Sequence, residues 1–344
     1  MALSFLNFLS SDIGIDLGTA NTLIYVKGKG IVVNQPSIIA LEDNSDRIMA
    51  VGSEARQMLG RTHQGIHTIR PLKDGVIADF EATEIMMREF IKKANVNRMM
   101  IGRIVVCVPS GITEVEKRAV RDTAERAGAR EVDLVAEAMA SAIGVGLEID
   151  APVGNMIVDI GGGTSEIAVI SLNGIVNHTS VRVGGDEMSH AIIQHFKKNF
   201  NLLIGEKSAE DIKCTIGSAV VLEEEIKTEI KGRDLIDGIP KTIEITSQEI
   251  REALNDPIST IVEAVKLSLE RTPPELASDI LDRGIILTGG GALLKGLDAR
   301  LREETSMAIH VAEDPLLCVV NGCGKILDHP EQYEKVLLKQ KRSN

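Results

Sequence analysis

The sequence predicts an α/β protein made of two related domains, and three observations support that prediction. A motif of strand, glycine-rich turn and strand occurs twice, at residues 15–26 and 158–169. Apolar strand patterns alternate with helical patterns along both halves of the chain, which is typical of α/β layers. The length of 344 residues fits about two domains of roughly 150 residues each.

Each copy of the repeat reads as a β-hairpin closed by glycine. An apolar run ends at Asp16 in the first copy and at Asp159 in the second, 143 positions later. A cluster of Gly, Thr, Ser and Asn residues follows, and apolar alternation resumes at Ile24 and Ile167, which indicates a second strand. So long a period excludes a solenoid and favours two related domains.

Strands and helices alternate between the repeats and after them. In chain order we expect a strand at 103–109, a helix at 113–128, a strand at 132–135, helices at 138–146, 187–200 and 209–216, a strand at 241–245, a helix at 257–270 and a strand at 284–288. The last strand runs into a glycine turn, and a helix is expected from Ala292. Residues from Arg182 to about Ile250 look like an insertion in the second domain.

Composition excludes several classes of protein. Lys and Arg total 38 against 50 Asp and Glu, so the formal charge is −12, and aromatic residues are 2% of the chain. Neither property suits nucleic-acid binding, and we expect no nucleic-acid partner. The four cysteines have no metal-site spacing, and there is no long apolar run or secretory signal, so the sequence indicates a reduced cytoplasmic protein.

The two glycine turns are candidates for binding phosphate. A turn such as residues 18–21 or 161–163 exposes successive backbone N–H groups with little side-chain bulk, and two facing turns would clamp a polyphosphate. Asp16 and Asp159 occupy the same place in each copy and are candidates for an Mg²⁺ shell. The alternatives are that the glycines only close hairpins and that the aspartates only cap turns.

Other nucleotide and hydrolase motifs are absent from the sequence. No Gly-x4-Gly-Lys-Ser/Thr P-loop occurs, because Gly324-Lys325 is followed by Ile326 and has no glycine at the required upstream spacing. No strand-linked Gly-x-Gly-x-x-Gly, Gly-x-Ser-x-Gly or His-Glu-x-x-His sequence is found either.

Taken together, the motifs resemble the superfamily of actin, sugar kinases and heat-shock chaperone ATPases. The motifs that resemble it are the two hairpins, the strand 134–137 and the turn 288–292. Further segments are similar to the MreB family of bacterial actins, at residues 16–22, 69–80, 108–111, 201–206 and 273–280. The resemblance covers essentially the whole chain.

This resemblance implies an actin-like ATPase fold of two duplicated domains, each with a smaller inserted subdomain, and ATP with Mg²⁺ in the cleft between them. The implied domains are 1–148 with 312–344, carrying an insert at about 33–68, and 149–311, carrying an insert at about 182–246. The implied phosphate-binding residues are Gly18, Thr19, Ala20 and Asn21 in the first turn and Gly161, Gly162, Gly163 and Thr164 in the second. Asp16 and Asp159 would hold Mg²⁺ through water.

The resemblance also implies the hydrolytic residues. Glu137 would position the attacking water, with Thr164 as its hydrogen-bonding partner. Judged without the family, Glu137 is a carboxylate favoured at a helix N-terminus. The family usually has proline after this glutamate, whereas Ala138 follows here, which removes a fixed φ at the helix start.

Nucleoside contacts are implied at two further places. The glycine turn Gly289, Gly290, Gly291 and Ala292 would contact adenosine, and Glu210 with Lys213 would contact the nucleoside. The alternative for the second pair is an exposed ion pair between neighbouring turns of one helix.

The N-terminal segment predicts a short amphipathic helix over residues 1–11. Its apolar face is formed by Leu3, Phe5, Leu6, Phe8 and Leu9. Such a face can insert at a membrane surface, weakly for one chain and with avidity for a filament. The alternative is docking of the segment onto its own domain, because no Lys or Arg precedes Lys27.

The resulting expectation is a weak ATPase that polymerises into paired protofilaments on the inner face of the cytoplasmic membrane. Its partners would be further copies of itself, the membrane surface, and membrane-embedded cell-shape and wall-synthesis proteins, and its role would be cell shape. The alternative is a small-molecule kinase of the same superfamily. A chaperone-type ATPase is disfavoured, because the ATPase architecture already uses about 344 residues.

Overall fold

The structure, a computed structural model, describes residues 11–43, 47–96 and 101–338. Its strands are β1 (Ser11–Leu17), β2 (Asn21–Val26), β3 (Gly30–Pro36), β4 (Ile39–Glu42), β5 (Ile48–Val51), β6 (Ile66–Ile69), β7 (Leu72–Lys73), β8 (Val76–Ile77), β9 (Ile101–Val108), β10 (Glu131–Ala136), β11 (Asn155–Ile160), β12 (Ser165–Ser171), β13 (Gly174–Val181), β14 (Leu202–Leu203), β15 (Lys227–Asp234), β16 (Pro240–Thr246), β17 (Ile285–Thr288) and β18 (Ile309–Val311).

Its α-helices are α1 (Ser53–Met58), α2 (Phe80–Lys93), α3 (Glu114–Ala127), α4 (Glu137–Val145), α5 (Gly185–Phe200), α6 (Glu206–Ile216), α7 (Ser247–Glu270), α8 (Pro274–Arg283), α9 (Leu297–Thr305), α10 (Cys318–Asp328) and α11 (Pro330–Tyr333). Short 3₁₀ helices are found at Gly290–Leu293, Pro315–Leu317 and Glu334–Val336.

Two five-stranded sheets of identical topology form the centre of the molecule. The first sheet has the order β3-β2-β1-β9-β10 and the second has the order β13-β12-β11-β17-β18. In each sheet three strands form an antiparallel meander, and two further strands lie parallel to the first strand of the meander. The α/β class and the duplication predicted from the repeated hairpin are confirmed.

A pair of helices, α4 and α10, packs between the two sheets. Their buried side chains share one apolar cluster with Val105 of the first sheet and Ile157 of the second. A Cβ at Gly322 would lie 1.9 Å from the carbonyl oxygen of Ala140, so the backbones of the two helices touch where glycine stands. Because interiors are close-packed, this contact fixes how the helix pair joins the two sheets.

Each large sheet has a small three-stranded sheet nearby in the chain. The small sheet of order β5-β4-β6 follows β3, and the small sheet of order β14-β15-β16 lies between α5 and α7. The first has its own apolar cluster, formed by Ile38, Ala40, Ala50 and Ala55.

Two helix starts differ from the sequence prediction. The helix expected from Pro257 begins ten residues earlier, because Thr246 and Glu249 form a capping box and the buried Pro257 is accommodated inside α7. The helix expected from Ala292 begins at Leu297, and Ala292 lies in the 3₁₀ helix that follows β17. Both expectations were wrong; α9 follows Gly296, whose backbone is left-handed and which provides no side-chain cap.

The residues that concern the membrane are described only in part. The predicted amphipathic helix with Leu3, Phe5, Leu6, Phe8 and Leu9 lies outside the described residues. Within the described part of the chain, no helix has both the length and the apolar composition to cross a bilayer.

Candidate functional site

The two glycine turns close equivalent hairpins at the centre of each sheet. Leu17 pairs with Thr22 at the end of β1-β2, and Ile160 pairs with Ser165 at the end of β11-β12. The backbone N–H of Gly161 donates to the carbonyl oxygen of Thr164 at 2.8 Å and closes the second turn. Both turns therefore follow the carboxyl end of a central strand, where α/β folds commonly bind ligands.

The two turns lie directly against each other. A Cβ at Gly162 would be 2.7 Å from the Cβ of Ala20, and one at Gly163 would be 2.8 Å from Oγ1 of Thr19. That hydroxyl also accepts a hydrogen bond of 3.1 Å from the backbone N–H of Gly75. Glycine is needed at both positions because any side chain would push the turns apart.

Asp16 and Asp159 end the two central strands beside these turns. Burial, the larger cause, and the Asp159 carboxylate together raise the pKa of Asp16 from 3.8 to about 7, although a hydrogen bond from the Cys107 thiol opposes the rise. Burial is likewise the largest cause of the rise in the pKa of Asp159 to about 6, a rise that hydrogen bonds from Ser141 and Thr288 limit and the Glu166 carboxylate increases. Two carboxylates so placed repel one another, and a nearby cation would relieve that repulsion.

The donor set suits a cation held through water. Within the described ranges, no group of three or more His, Cys, Asp or Glu side chains is arranged to hold a metal ion directly. Mg²⁺ retains several waters and is commonly bound by one or two carboxylates together with substrate phosphates. Asp16 and Asp159, each beside a glycine turn, fit that pattern.

Glu137 is the first residue of α4 and directly follows β10. Burial raises its pKa well above the usual value, and the carboxylates of Glu166, Asp16 and Asp159 raise it further. The helix begins at Glu137 although Ala138 stands where the family usually has proline. Glu137 therefore lies near Asp16 and Asp159, and the three side chains form one acidic cluster.

The ion pair between Glu210 and Lys213 is largely shielded from solvent, with Lys213 buried and Glu210 half-buried. Lys213 is 9% exposed, and its Nζ donates to Glu210 at 2.6 Å, to the Gly185 carbonyl oxygen at 2.7 Å and to Ser189 at 3.1 Å. Burial would raise the pKa of Glu210, but the charge and hydrogen bond of Lys213 lower it overall. The interpretation as an exposed helical ion pair is wrong.

This ion pair is connected to the second turn through the start of α5. The backbone N–H groups of Gly185 and Asp186 donate to the carbonyl oxygens of Gly161 and Gly162, at 3.0 and 2.8 Å. Lys213 and Glu210 thus lie next to the second glycine turn.

The third glycine turn, residues 289–292, contacts the end of β11, directly before the second turn. Gly289 has a φ of 80°, and a Cβ there would lie 2.4 Å from the carbonyl oxygen of Ile160 and 2.7 Å from Oδ1 of Asp159. A Cβ at Gly291 would lie 2.2 Å from Cγ2 of Ile160. Gly290 and Ala292 lie in the same 3₁₀ helix. The structure thus gathers three glycine turns and the acidic cluster in one region.

Several side chains of this region were missed by sequence reasoning. Ser141 and Thr288 both donate to Oδ2 of Asp159, the latter at 3.0 Å. Glu166 is 1% exposed and lies directly across β11-β12 from Asp159. Arg70 contacts Asp186 at 3.6 Å and Glu206 at 3.2 Å. Of these residues, only Glu166 could have been found from the sequence, because it is the one acidic residue of the largely apolar strand β12.

Comparison with known proteins identifies the family. The model of the MreB/Mbl protein family matches residues 10–335. The cell shape-determining protein MreB of Escherichia coli K12 is 54% identical over 334 residues, which is 95% of this chain and 96% of that protein. The cell shape-determining protein Mbl of Bacillus subtilis 168 is 51% identical over 325 residues, covering 94% of this chain and 98% of that one.

Solved structures are similar over nearly the whole chain. MreB5 of Spiroplasma citri, solved with ADP and with AMPPNP, superposes with a TM-score of 0.90 at 38% identity, covering 95% of this chain and 98% of that one. The double helical filament of MamK gives a TM-score of 0.80 at 20% identity over 93% of this chain and 99% of that one, which shows the shared fold. These relatives do not favour the kinase alternative. The chain belongs to the MreB/Mbl family and has an actin-like fold and the actin-like cytoskeletal role of that family.

Proposed function

We propose that this protein binds ATP with Mg²⁺ between its two large sheets, hydrolyses it slowly and polymerises as it does so. The observation that carries the proposal is the contact of two duplicated glycine turns, Gly162 against Ala20 and Gly163 against Thr19, beside Asp16 and Asp159. The similarity to MreB5 structures solved with ADP and with AMPPNP supports nucleotide binding. The proposed division is 1–148 with 312–344 and 149–311, with inserts at about 33–68 and 182–246.

In this proposal the backbone of both turns holds the phosphates. The residues are Gly18, Thr19, Ala20 and Asn21 on one side and Gly161, Gly162, Gly163 and Thr164 on the other. The turn Gly289–Ala292 contacts adenosine, and Glu210 with Lys213 contacts the nucleoside. Mg²⁺, held through water by Asp16 and Asp159, would offset the negative charge of the phosphate oxygens.

Glu137 and Thr164 orient the attacking water. The water oxygen forms a bond to the terminal phosphorus while Glu137 accepts a proton from the water, the bond to the bridging oxygen breaks, and ADP and inorganic phosphate result. For such transfers a protein mainly positions groups and stabilises charge. Glu137 is suited to this because it begins α4 directly after β10 and because burial and the neighbouring carboxylates raise its pKa, which favours its accepting a proton.

We further propose that the filaments lie on the inner face of the cytoplasmic membrane and organise wall synthesis with membrane-embedded cell-shape proteins. The N-terminal residues 1–11 would provide the attachment. Avidity from many copies would compensate for the weak binding of one short apolar face.

Sedimentation with liposomes tests this function. The purified chain is centrifuged with Mg-ATP, with ADP and without nucleotide, each with and without liposomes, and the pellets are imaged by electron microscopy. We expect nucleotide-dependent filaments that coat liposomes, and loss of the coating when residues 2–9 are deleted. A protein that binds Mg-ATP but stays monodisperse and off lipid would contradict the proposal and favour a kinase, to be pursued with an acceptor screen.

A further inference from the structure

A row of polar side chains crosses the second sheet next to the proposed hydrolytic residues. Asp159 on β11 pairs directly with Thr288 on β17 and with Glu166 on β12, and Glu166 pairs with Ser180 on β13. Directly paired residues project from the same face of a sheet, so the four side chains form one line. Glu166 has no part in the function proposed above.

Glu166 joins the two halves of the molecule. Its Oε1 accepts a hydrogen bond from the hydroxyl of Ser180 at 2.5 Å, and its Oε2 accepts one from the backbone N–H of Ser110 at 3.0 Å. Ser110 lies in the loop that follows β9, which is a strand of the first sheet. A carboxylate that is 1% exposed requires such partners, because an unpaired buried charge is costly.

The loop that Glu166 holds also reaches the second phosphate turn. A Cβ at Gly75 would lie 2.9 Å from Cγ of Pro109 and 2.9 Å from Cγ2 of Thr164, so all three residues meet at one point. Pro109 directly precedes Ser110. The Glu166 carboxylate is also the largest contributor, after burial, to the raised pKa of Glu137. Glu166 is therefore close to both residues proposed to orient water.

We propose that Glu166 is a positioning residue for ATP hydrolysis, which holds the loop 109–111 of the first half against the turn that carries Thr164. The inference rests on the proposed function, since it concerns the same reaction. The hydrogen bond from Ser110 exists only while the two halves are together. Glu166 thereby makes the position of the attacking water depend on the contact between the two halves, whereas nucleotide affinity depends on the three glycine turns.

Two substitutions of Glu166 separate positioning from charge. In Glu166→Ala both hydrogen bonds are lost, and we expect the rate of phosphate release in a single turnover to fall about tenfold or more, with the Kd for ATP within about twofold of wild type. In Glu166→Gln the amide oxygen can accept from Ser110 and the amide nitrogen can donate to Ser180. This variant should recover most of the lost rate.

Two further variants keep the test decisive. Ser180→Ala leaves the bond to Ser110 in place and should slow phosphate release only about two- to threefold, which gives a result even if Glu166→Ala folds poorly. Glu224→Ala removes an exposed carboxylate and should match wild type. The inference is overturned if Glu166→Ala hydrolyses at the wild-type rate, if it loses binding and hydrolysis equally, or if Glu166→Gln is as slow as Glu166→Ala. Failure of the wild-type chain to bind ATP would refute the proposed function instead.

Discussion

Replacing Asp16 by Asn should make the nucleotide-free protein more stable above neutral pH. The pKa of Asp16 rises from 3.8 to about 7, first through burial and then through Asp159. The folded state thus holds this proton more tightly than the unfolded state, so the stability it contributes is full below a pH of about 4 and is lost as the pH rises through about 7. At 1.36 kcal/mol per unit the shift corresponds to about 4 kcal/mol. Since the side chain is partly exposed, solvent screening reduces the expected effect to about 2 kcal/mol.

Urea unfolding at pH 5 and pH 8, with and without Mg²⁺, measures this effect. At pH 5 the variant should be more stable than wild type by less than half of the difference at pH 8, because folded Asp16 is still protonated there while the unfolded state is already ionised. At pH 8 the variant should be more stable by about 2 kcal/mol, and Mg²⁺ should stabilise wild type more than the variant. Asp298→Asn, the same change at a partly exposed helical site, is the control. An equal difference at both pH values, or equal stabilisation by Mg²⁺, would refute the reasoning.

Three further predictions concern hydrolysis, nucleotide release and packing. Glu137→Gln should slow phosphate release about 100-fold while equilibrium binding of ATP is retained; a parallel loss of binding would contradict its role. Arg70→Glu should speed the release of a fluorescent nucleotide about threefold at low salt, because it breaks the ion pairs to Asp186 and Glu206. Adding Glu206→Arg to this variant should restore part of the wild-type release rate. No recovery would exclude an ion-pair effect. Gly322→Ala should cost about 3 kcal/mol of unfolding free energy, because its Cβ would meet the Ala140 backbone, whereas Gly205→Ala, with open space, should cost under about 1 kcal/mol.

Local patterns in the sequence were sufficient for the hairpins and their turns. Within β1-β2 and β11-β12 the paired residues are a few positions apart, so apolar alternation and glycine placement determine the register. The repeat at 143 positions then predicted two related domains, and the structure has two large sheets of the same topology. The start of α7 was missed although its capping box is also local, because Pro257 was given more weight than Thr246 and Glu249.

Contacts between distant residues depended on the tertiary structure. The bond between Ser110 and Glu166 joins residues 56 positions apart, and that between Arg70 and Glu206 joins residues 136 apart. The raised pKa of Asp16 likewise depends on burial and on Asp159, which the chain brings near only when both sheets pack against the helix pair. The sequence by itself determined the two hairpins and the placement of Asp16 and Asp159 beside their turns, because strand and turn propensities act over a few residues. Packing of the two halves decided which of those groups meet, because burial and charge interactions depend on distance in space.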